Sequence, residues 1–310
     1  MSVEIPFRLA RGGLDARLEW IAADHARYTE SFFEHTLRRL RQLPVNRSTP
    51  LRTTPLEELR NFSGPEPTAI VFHVSRCGST LVAQMLAALP QHTVLAEPPL
   101  VDEVLRLHLH RPATTDGEKI ALVRGAVAAL ARPHAAGCRR LFVKLDSWHI
   151  FTVPLMRRAF PTTPFVFLHR HPVEVLVSLM RRPSLTLVRD TVTPAQLGLT
   201  PSVRDALSPV EHASAILGAF FRAARTHRSE LTTIDYTQLP DLVARGFPDC
   251  AFDDGEREAL LAAAARDAKN PEQRFVPDAA AKRLEATDEL LAAAEKFALP
   301  AYREFIADLS

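Results

Sequence analysis

The sequence has 310 residues, of which 46% are hydrophobic and 24% are charged, ordinary values for a folded protein with a sizeable core. This composition excludes a disordered or collagen-like chain. The 38 Lys and Arg residues nearly balance the 36 Asp and Glu residues, so the net charge of +2 does not indicate a nucleic-acid-binding surface.

The first 67 residues are predicted to form an N-terminal helical appendage and a linker. Apolar residues recur near helical spacing over residues 14–43, which predicts an amphipathic helix. Residues 44–67 are rich in Pro, Ser, Thr and Arg, which is typical of a linker or a surface loop. The N-terminus lacks a long apolar stretch and the apolar runs are short, so we expect neither a signal peptide nor a membrane span.

From residue 68 onward, short apolar strands alternate with helices. The strands are runs of β-branched and aromatic residues, and the helices follow helical periodicity. The predicted strands are 68–74, 93–96, 140–145, 165–169 and 231–235. The predicted helices between them are 79–89, 117–131, 149–159, 173–181 and 209–228. This alternation predicts an α/β domain over residues 68–310, with a mostly parallel sheet covered by helices on both faces.

Two segments of this domain do not follow the alternation. Residues 182–208 contain several Pro and Thr residues, and we predict a long loop or lid there. Residues 255–310 carry helical patterns only. The strand at 231–235 is therefore expected to be the last one in the sheet.

A tight turn between the first strand and the first helix of this domain carries the strongest functional signal, at Ser75–Thr80. The backbone N–H groups of such a turn point into one concavity and the helix dipole adds positive potential, so the turn favours a phosphate or a sulfate. Gly78 permits close backbone approach, Arg76 offers a guanidinium fork, and Ser79 and Thr80 offer hydroxyl donors. The alternative is a helix start made of small residues that binds no ligand.

The turn departs from the Walker A pattern. Arg76 precedes the glycine, and no Lys follows it. Since the Lys of that pattern contacts the β- and γ-phosphates, its absence counts against an ordinary ATPase or GTPase.

A second polar turn follows the strand at 165–169. Arg170 leaves the carboxyl end of this strand, where open α/β sheets bind ligands, and Pro172 starts a helix. Ser178 lies roughly two turns into that helix. Both side chains are expected to donate to a second phosphate. The alternatives are a surface ion pair for Arg170 and a helix position without a binding role for Ser178.

Together, the two turns resemble motifs of the sulfotransferase superfamily, which transfers a sulfuryl group from 3′-phosphoadenosine 5′-phosphosulfate (PAPS). Ser75–Leu81 resembles the 5′-phosphosulfate loop, in the Arg-bearing form of bacterial and Golgi-type members. Leu168–Ser178 resembles the 3′-phosphate motif and keeps its Arg-to-Ser spacing. Ala96–Pro98 resembles a Glu-Pro step after the second strand, and Ile234–Leu239 resembles a late Tyr segment.

The resemblance covers residues 68–240 and implies a P-loop three-layer sandwich. It also implies that PAPS, or its product PAP, binds as cosubstrate without a metal. The implied binding residues are Ser75, Arg76, Cys77, Gly78, Ser79, Thr80, Arg170, Ser178 and Tyr236. Two features depart from the family pattern: Cys77 replaces a more usual small residue, and the glycine-rich C-terminal segment of cytosolic members has no clear counterpart. Weak substitutes for that segment are Lys269, Arg274, Lys282 and Arg283.

The acceptor, a hydroxyl or an amine, needs a base, and the sequence offers three candidates. Glu97 follows the second strand, and its alternative role is an ion pair with an Arg. Asp146 stands where cytosolic members carry a histidine, and its alternative role is a helix N-cap. His149 follows one turn later and is alternatively an ordinary helix histidine. Lys144 is expected to bind sulfate or to pair with a carboxylate, while Arg76 stabilises the transferred group.

Other histidines are expected to be structural: His73 as a core residue, and His169 and His171 as turn residues. The three cysteines are far apart and odd in number, which indicates reduced thiols in the cytoplasm rather than a disulfide scaffold or a zinc site. The expected partner is a small-molecule or conjugated acceptor, with no nucleic acid and no membrane. A homodimer is left open.

Two other functions compete with sulfuryl transfer. In the first, the chain is a phosphotransferase or hydrolase that uses ATP or GTP, with Asp146 as a magnesium residue and Arg76 as a phosphate clamp. In the second, it is a nucleotide- or sulfate-binding module without turnover. The lid at 182–208 and the N-terminal helix are expected to shape the acceptor pocket, although the sequence does not identify the acceptor.

Overall fold

The computed structural model describes most of the chain. The described ranges are 3–10, 16–23, 26–48, 50–134, 137–248, 250–265 and 279–309. Lys269 and Arg274, two of the weak substitutes named above, lie outside them. None of the described helices is long and apolar enough to cross a membrane.

The N-terminal region contains a small antiparallel sheet as well as helices, so the prediction of one long helix is wrong. The sheet has the order β1-β2-β3. Its strands are β1 (Glu4–Leu9), β2 (Arg17–Ala22) and β3 (Thr53–Pro55). Helical structure is limited to α1 (Phe33–Leu40), α2 (Pro44–Ser48) and the 3₁₀ turn Leu56–Asn61, so the predicted linker is also partly regular.

The misprediction has a simple physical cause. Leu18 and Ile21 fit helical spacing, but Leu18 and Trp20 also alternate with a less buried Glu19, which is the period of a strand. Pairing with β1 and β3 satisfies the backbone of β2, and the indole N–H of Trp20 donates to Thr54 Oγ1 at 2.8 Å. Tertiary pairing therefore decided between two periodicities that the sequence permits.

The central sheet has five strands, all parallel, in the order β5-β6-β4-β7-β8. The strands are β4 (Ala69–His73), β5 (His92–Ala96), β6 (Arg140–Lys144), β7 (Phe165–His169) and β8 (Leu231–Asp235). All five predicted strands are confirmed. β4, β5 and β7 are buried along their whole length, as expected of strands covered on both faces.

Helices flank this sheet and confirm the α/β class. They are α3 (Ser79–Ala88), α4 (Pro99–Leu105), α5 (Asp116–Ala131), α6 (Val153–Ala159) and α7 (Pro172–Arg181). Short 3₁₀ turns lie at Leu107–Leu109, Arg132–His134 and Ser147–Thr152. The sequence did not predict α4, a seven-residue helix that begins at Pro99 directly after Pro98.

The predicted lid contains short regular elements rather than loop alone. They are the 3₁₀ turn Leu185–Leu187, α8 (Pro194–Leu197) and α9 (Pro201–Asp205). The long helix α10 (Pro209–Thr226) follows, and a capping box of Ser208 and Glu211 fixes its start. Further 3₁₀ turns lie at Arg228–Glu230 and Tyr236–Gln238.

The described part of the C-terminal region beyond residue 253 is helical, as predicted. After α11 (Asp241–Arg245), its helices are α12 (Asp254–Ala264), α13 (Ala279–Leu284), α14 (Asp288–Ala293) and α15 (Leu299–Ala307), with a π-helical turn at Ala294–Ala298. α15 packs on α10. Since all five central strands are parallel, their carboxyl ends meet at one edge of the sheet, and the residues that follow them lie together there.

Candidate active site

The turn between β4 and α3 holds its backbone in an unusual conformation. Ser75, Arg76 and Gly78 have positive φ angles of 67°, 51° and 83°. α3 begins at Ser79, and its N-cap Gly78 makes no side-chain capping bond. Strained residues of this kind cluster at ligand sites, and an uncapped helix start presents N–H donors and positive potential. The Ser75–Thr80 turn is therefore suited to binding an anion, and it is named the anion-binding turn.

Neighbouring side chains hold the turn in place. The backbone N–H of Ser75 donates to Nδ1 of the buried His73 at 3.0 Å. The Cys77 thiol donates to the carbonyl oxygen of Leu168 on β7 at 3.2 Å, and burial raises the pKa of this thiol to about 11. Cys77 is therefore a neutral anchor whose side chain faces the sheet, and only its backbone faces the turn.

The second motif forms a compact cluster beside the turn. Arg170 Nε donates to Glu174 Oε2 at 2.7 Å, and Arg283 Nε donates to Glu174 Oε1 at the same distance. The Arg170 guanidinium carbon stacks over the Tyr236 ring at 3.9 Å. Tyr236 in turn packs against Gly78, where an added Cβ would lie 3.0 Å from the ring. The anion-binding turn thus packs against Tyr236, which in turn packs against Arg170.

A direct hydrogen bond joins the two predicted motifs. Arg76 Nε donates to Ser178 Oγ at 2.7 Å, across 102 residues of sequence. The bond follows from the sheet order, because β4 and β7 are neighbours and both turns leave their carboxyl ends. The structure therefore places the two motifs next to each other.

A cavity of about 530 Å³ opens in front of the turn. Its walls come from the anion-binding turn, the ends of β4, β5 and β6, the start of the predicted lid and α1. The lining includes His73, Ser75, Arg76, Ser79, Thr80, Glu97, Asp102, Asp146, Trp148, Leu185, Phe32 and His35. A neighbouring cavity of about 610 Å³ shares Phe32, His35, Arg76 and Ser184 with it. The two cavities therefore adjoin each other, with Arg76 in the lining of both.

Glu97 is held in an ion pair within this cavity. It has a positive φ of 55°, and its carboxylate accepts a hydrogen bond from Lys144 Nζ. His73 Nε2 lies 3.3 Å from the same oxygen. Burial opposes ionisation, but Lys144 and His73 outweigh it and lower the pKa of Glu97 to about 2. Lys144, 2% exposed, thus pairs with a carboxylate, and Glu97 is a weak proton acceptor at neutral pH.

Asp146 has the opposite electrostatic character. It occupies the N-cap position of the 3₁₀ turn Ser147–Thr152, yet its side chain makes no capping bond and borders the cavity. Burial raises the pKa of Asp146 well above its ordinary value, and the charges of Glu97 and Asp102 raise it further. A carboxyl group with a raised pKa in a cavity is suited to proton transfer near neutral pH.

Sequence analysis missed Asp102, which lies on α4 next to this group. Asp102 Oδ1 accepts hydrogen bonds from Trp148 Nε1 at 2.7 Å and from His149 Nε2 at 2.9 Å. His149 is 1% exposed, so it is not an ordinary surface histidine. Pro98 at the N-cap and Pro99 at the first position of α4 fit a helix start. They were the signal that could have placed Asp102 in the first turn of a helix after Glu97.

No carboxylate cluster for a metal was expected, but the structure does bring such groups together. Ligand atoms of Asp102, Asp146 and His149 all lie within 4.8 Å of one another. A hydrogen bond between Asp102 and His149 already joins two of the three. Asp102, His149 and Asp146 together form a carboxylate–histidine array.

The other predicted residues have structural surroundings. His169 lies 3.3 Å from Asp235 through Nδ1, and His171 packs against the Tyr302 ring. Of the weak C-terminal substitutes, Arg283 reaches the Arg170 cluster through Glu174. Lys282 is buried.

Comparison with known proteins gives one family match. A family described as "Sulfotransferase family" matches residues 67–241. Comparison with curated proteins gives no significant match.

Comparison with solved structures gives several matches. Sulfotransferase STF9 from Mycobacterium avium is 12% identical, with a TM-score of 0.50 over 81% of this chain and 78% of that one. A sulfotransferase domain from the curacin biosynthetic pathway is 16% identical, with a TM-score of 0.45 over 76% and 98% of the two chains. The sulfotransferase domain of the Synechococcus PCC 7002 olefin synthase is 18% identical, with a TM-score of 0.43 over 76% and 95%. At these identities the likeness to STF9 concerns the fold alone.

Proposed function

Because this chain belongs to the sulfotransferase family, we propose that it transfers a sulfuryl group from PAPS to a hydroxyl or amine of a small-molecule or conjugated acceptor. One observation carries the choice of donor. The hydrogen bond from Arg76 to Ser178 joins an anion-binding turn to a second cationic cluster at the neighbouring strand end. A nucleotide with phosphates at both its 3′ and 5′ positions needs two such sites side by side.

The residues present fit the donor. At one site, the open start of α3, Arg76, Ser79 and Thr80 would hold the sulfuryl oxygens and the 5′-phosphate. At the other, Arg170 and Ser178 would hold the 3′-phosphate, with Tyr236 keeping the Arg170 guanidinium in place. When bound, PAPS supplies the sulfuryl group, and transfer then depends on position and charge stabilisation.

Asp146 is the base that the surroundings favour. Glu97 is tied to Lys144 and has a low pKa, so it gains little by accepting a proton at neutral pH. Asp146 has a raised pKa, borders the same cavity and caps no helix. In this proposal the ion pair of Glu97 and Lys144 has a structural role beside the cavity. Asp146 removes the proton of the acceptor.

One observation favours the competing use of ATP or GTP with magnesium. Asp102, Asp146 and His149 lie near enough to one another to hold an ion, and Asp146 follows the strand next to β4. Against it, no Lys follows Gly78 in the anion-binding turn. Calorimetry with PAP, AMP, ATP and GTP, with and without magnesium, distinguishes the two functions. We expect PAP to bind most tightly and independently of magnesium; tight, magnesium-dependent binding of ATP or GTP would overturn the proposal.

Arg170→Ala tests the site for the 3′-phosphate. Loss of a charge-assisted bond is expected to weaken PAP binding by roughly 10–100-fold and to leave AMP binding nearly unchanged. Arg283→Ala is the matched control, because Arg283 shares Glu174 but extends from another element. Equal losses for PAP and AMP in Arg170→Ala would reject the 3′-phosphate role. If both variants lose PAP binding equally, the loss would come from the Glu174 carboxylate, which is deprived of one Arg partner in each variant.

A further inference from the structure

The carboxylate–histidine array lies beside the cavity, and two of its members, Asp102 and His149, have no role in the reaction so far. It runs from Asp102 on α4, through His149, to Asp146 at the end of β6. Asp102 Oδ1 lies 2.9 Å from His149 Nε2, and Asp146 Oδ2 lies 3.9 Å from His149 Nδ1. Both carboxyl groups border the cavity, and the imidazole stands between them.

The bonds of Asp102 determine which nitrogen of His149 carries the proton. Burial opposes ionisation of Asp102, but the donors His149 and Trp148 hold its pKa below the ordinary value, so Asp102 is an ionised acceptor. Nε2 must then carry the hydrogen, and Nδ1 carries a lone pair. Nδ1 is buried and has no hydrogen-bond partner within the described ranges. A buried ring nitrogen without a hydrogen-bond partner lowers the stability of the fold, so its presence here calls for an explanation.

We propose that His149 Nδ1 receives the proton that Asp146 takes from the acceptor, and that Asp102 is the positioning residue that orients the imidazole for this step. The proposal rests on the proposed function, because it assigns a route for the proton released by sulfuryl transfer. Asp102 would act as the carboxylate of a catalytic triad does: it would fix the tautomer of the histidine and balance the positive charge that forms on the imidazole.

The surroundings of Asp146 explain why a second proton site is needed. Asp146 faces Glu97 from β5, Lys144 from its own strand, Asp102 from α4 and His149 from the following turn. Burial and the two carboxylates raise the pKa of Asp146 and so favour its neutral form. A carboxyl group of this kind retains a proton that it accepts, so a neighbouring group must take that proton before the next turnover.

The step balances without a co-reactant. As the acceptor oxygen or nitrogen bonds to sulfur, Asp146 takes the acceptor proton and passes a proton from Oδ2 to His149 Nδ1. The bond from sulfur to the 5′-phosphate oxygen breaks, and its electron pair stays on the phosphate. The Asp102 carboxylate balances the imidazolium. The 3.9 Å separation must shorten by about 1 Å, and bonds of this type tighten in the substrate complex.

The first test needs no acceptor. ¹⁵N NMR of the wild-type protein, free and with PAP, reports which ring nitrogen of His149 carries the hydrogen. We expect the Nε2–H form, and a shift to the Nδ1–H form in Asp102→Asn. A wild-type protein in the Nδ1–H form would overturn the proposal, even if PAP binds as expected. Failure of PAP to bind would instead contradict the proposed function, and the tautomer could still be read.

The second test measures turnover as release of PAP from PAPS, with a series of substituted phenols as acceptors and with water where no phenol reacts. Asp102→Asn should lower kcat by about 10²-fold, most strongly for the least acidic phenols, with PAP affinity unchanged. Glu103→Gln is the matched control, because Glu103 is the next acidic residue of α4 and its carboxylate accepts the backbone N–H of Leu9, a bond that Gln can keep. It should leave kcat and the tautomer unchanged.

A double variant separates a relay from a structural effect. If Asp102 acts through His149, Asp102→Asn combined with His149→Gln should be no slower than His149→Gln alone. The proposal would be overturned if the loss of kcat in the double variant equals the product of the losses in the two single variants. It would also be overturned if Asp102→Asn keeps the wild-type kcat. If Asp102→Asn fails to fold, two measurements still test the proposal: the tautomer of His149 in the wild-type protein and the pH dependence of kcat in His149→Gln. The relay predicts that His149→Gln alters the pH dependence of kcat, and an unaltered profile counts against it.

Discussion

Glu97 and Asp146 follow neighbouring strands, and their surroundings push their pKa values in opposite directions. The Lys144 ammonium lies against Glu97 and favours its charged form. Asp146 has no such dominant partner, and burial together with two nearby carboxylates favours its neutral form. Two carboxyl groups so separated in pKa can take different roles in one site.

Replacement of Asp146 by Asn tests this assignment through stability and activity together. A buried carboxyl with a raised pKa costs free energy when it ionises, so the neutral amide should match or exceed the wild-type free energy of unfolding at pH 8. Turnover should nevertheless fall by about 10²–10⁴-fold. Urea denaturation and PAP release measure the two quantities. A variant that keeps full turnover would transfer the role of base to Glu97 or His149.

Glu97→Gln is the matched comparison and should behave oppositely. Gln cannot pair fully with the buried Lys144, so the free energy of unfolding at pH 7 should fall by about 2 kcal/mol. The folded pKa of about 2 lies below the ordinary 4.5, so the ion pair stabilises the fold above pH 4.5 and is lost as pH falls toward 2. Wild type should therefore lose more stability than Glu97→Gln over that window, as measured by urea midpoints; equal losses would contradict the ion pair.

At the scale of elements, the anion-binding turn depends on the absence of a side chain at Gly78. Its φ is 83°, and a Cβ there would lie 2.7 Å from Leu239 Cδ1. Gly198 is the matched control, because it has a φ of 71° with open space around it. Gly78→Ala should cost about 1–3 kcal/mol more in unfolding free energy than Gly198→Ala, and it alone should weaken PAP binding. Equal costs would show that the turn adapts to a side chain.

The elements also show where sequence patterns are sufficient. The five buried strands have no competing period, and their positions could be predicted to within about two residues. β2 could not, because its apolar residues fit a helix and a strand equally well. α4 is only seven residues long, and with it the role of Asp102 was missed, since the bonds to Trp148 and His149 join residues 46 and 47 positions apart.

At the scale of the whole molecule, the N-terminal region packs as part of the main core. Ile5, Phe7 and Trp20 are buried in the same hydrophobic cluster as the central strands. The backbone N–H of Leu9 donates to Glu103 at 2.7 Å, and the Tyr28 hydroxyl donates to the Leu130 carbonyl at 2.9 Å. Because Phe32 and His35 also line the cavity, we infer that the described part of the N-terminal region folds with the α/β domain and completes its site, rather than forming a separate appendage.

The two tryptophans allow a direct test of this inference, because Trp20 lies in the N-terminal sheet and Trp148 lies beside the cavity. In Trp148→Phe the fluorescence reports the N-terminal region, and in Trp20→Phe it reports the site. One shared core predicts that, within each variant, the fluorescence and circular-dichroism transitions in urea coincide, since a cooperative unit unfolds as a whole. If the Trp20 signal in Trp148→Phe changes at lower urea than the circular dichroism, the N-terminal region is a separate unit. In that case the cavity could lose its Phe32 wall while the parallel sheet stays folded, and acceptor binding would become sensitive to urea before nucleotide binding does.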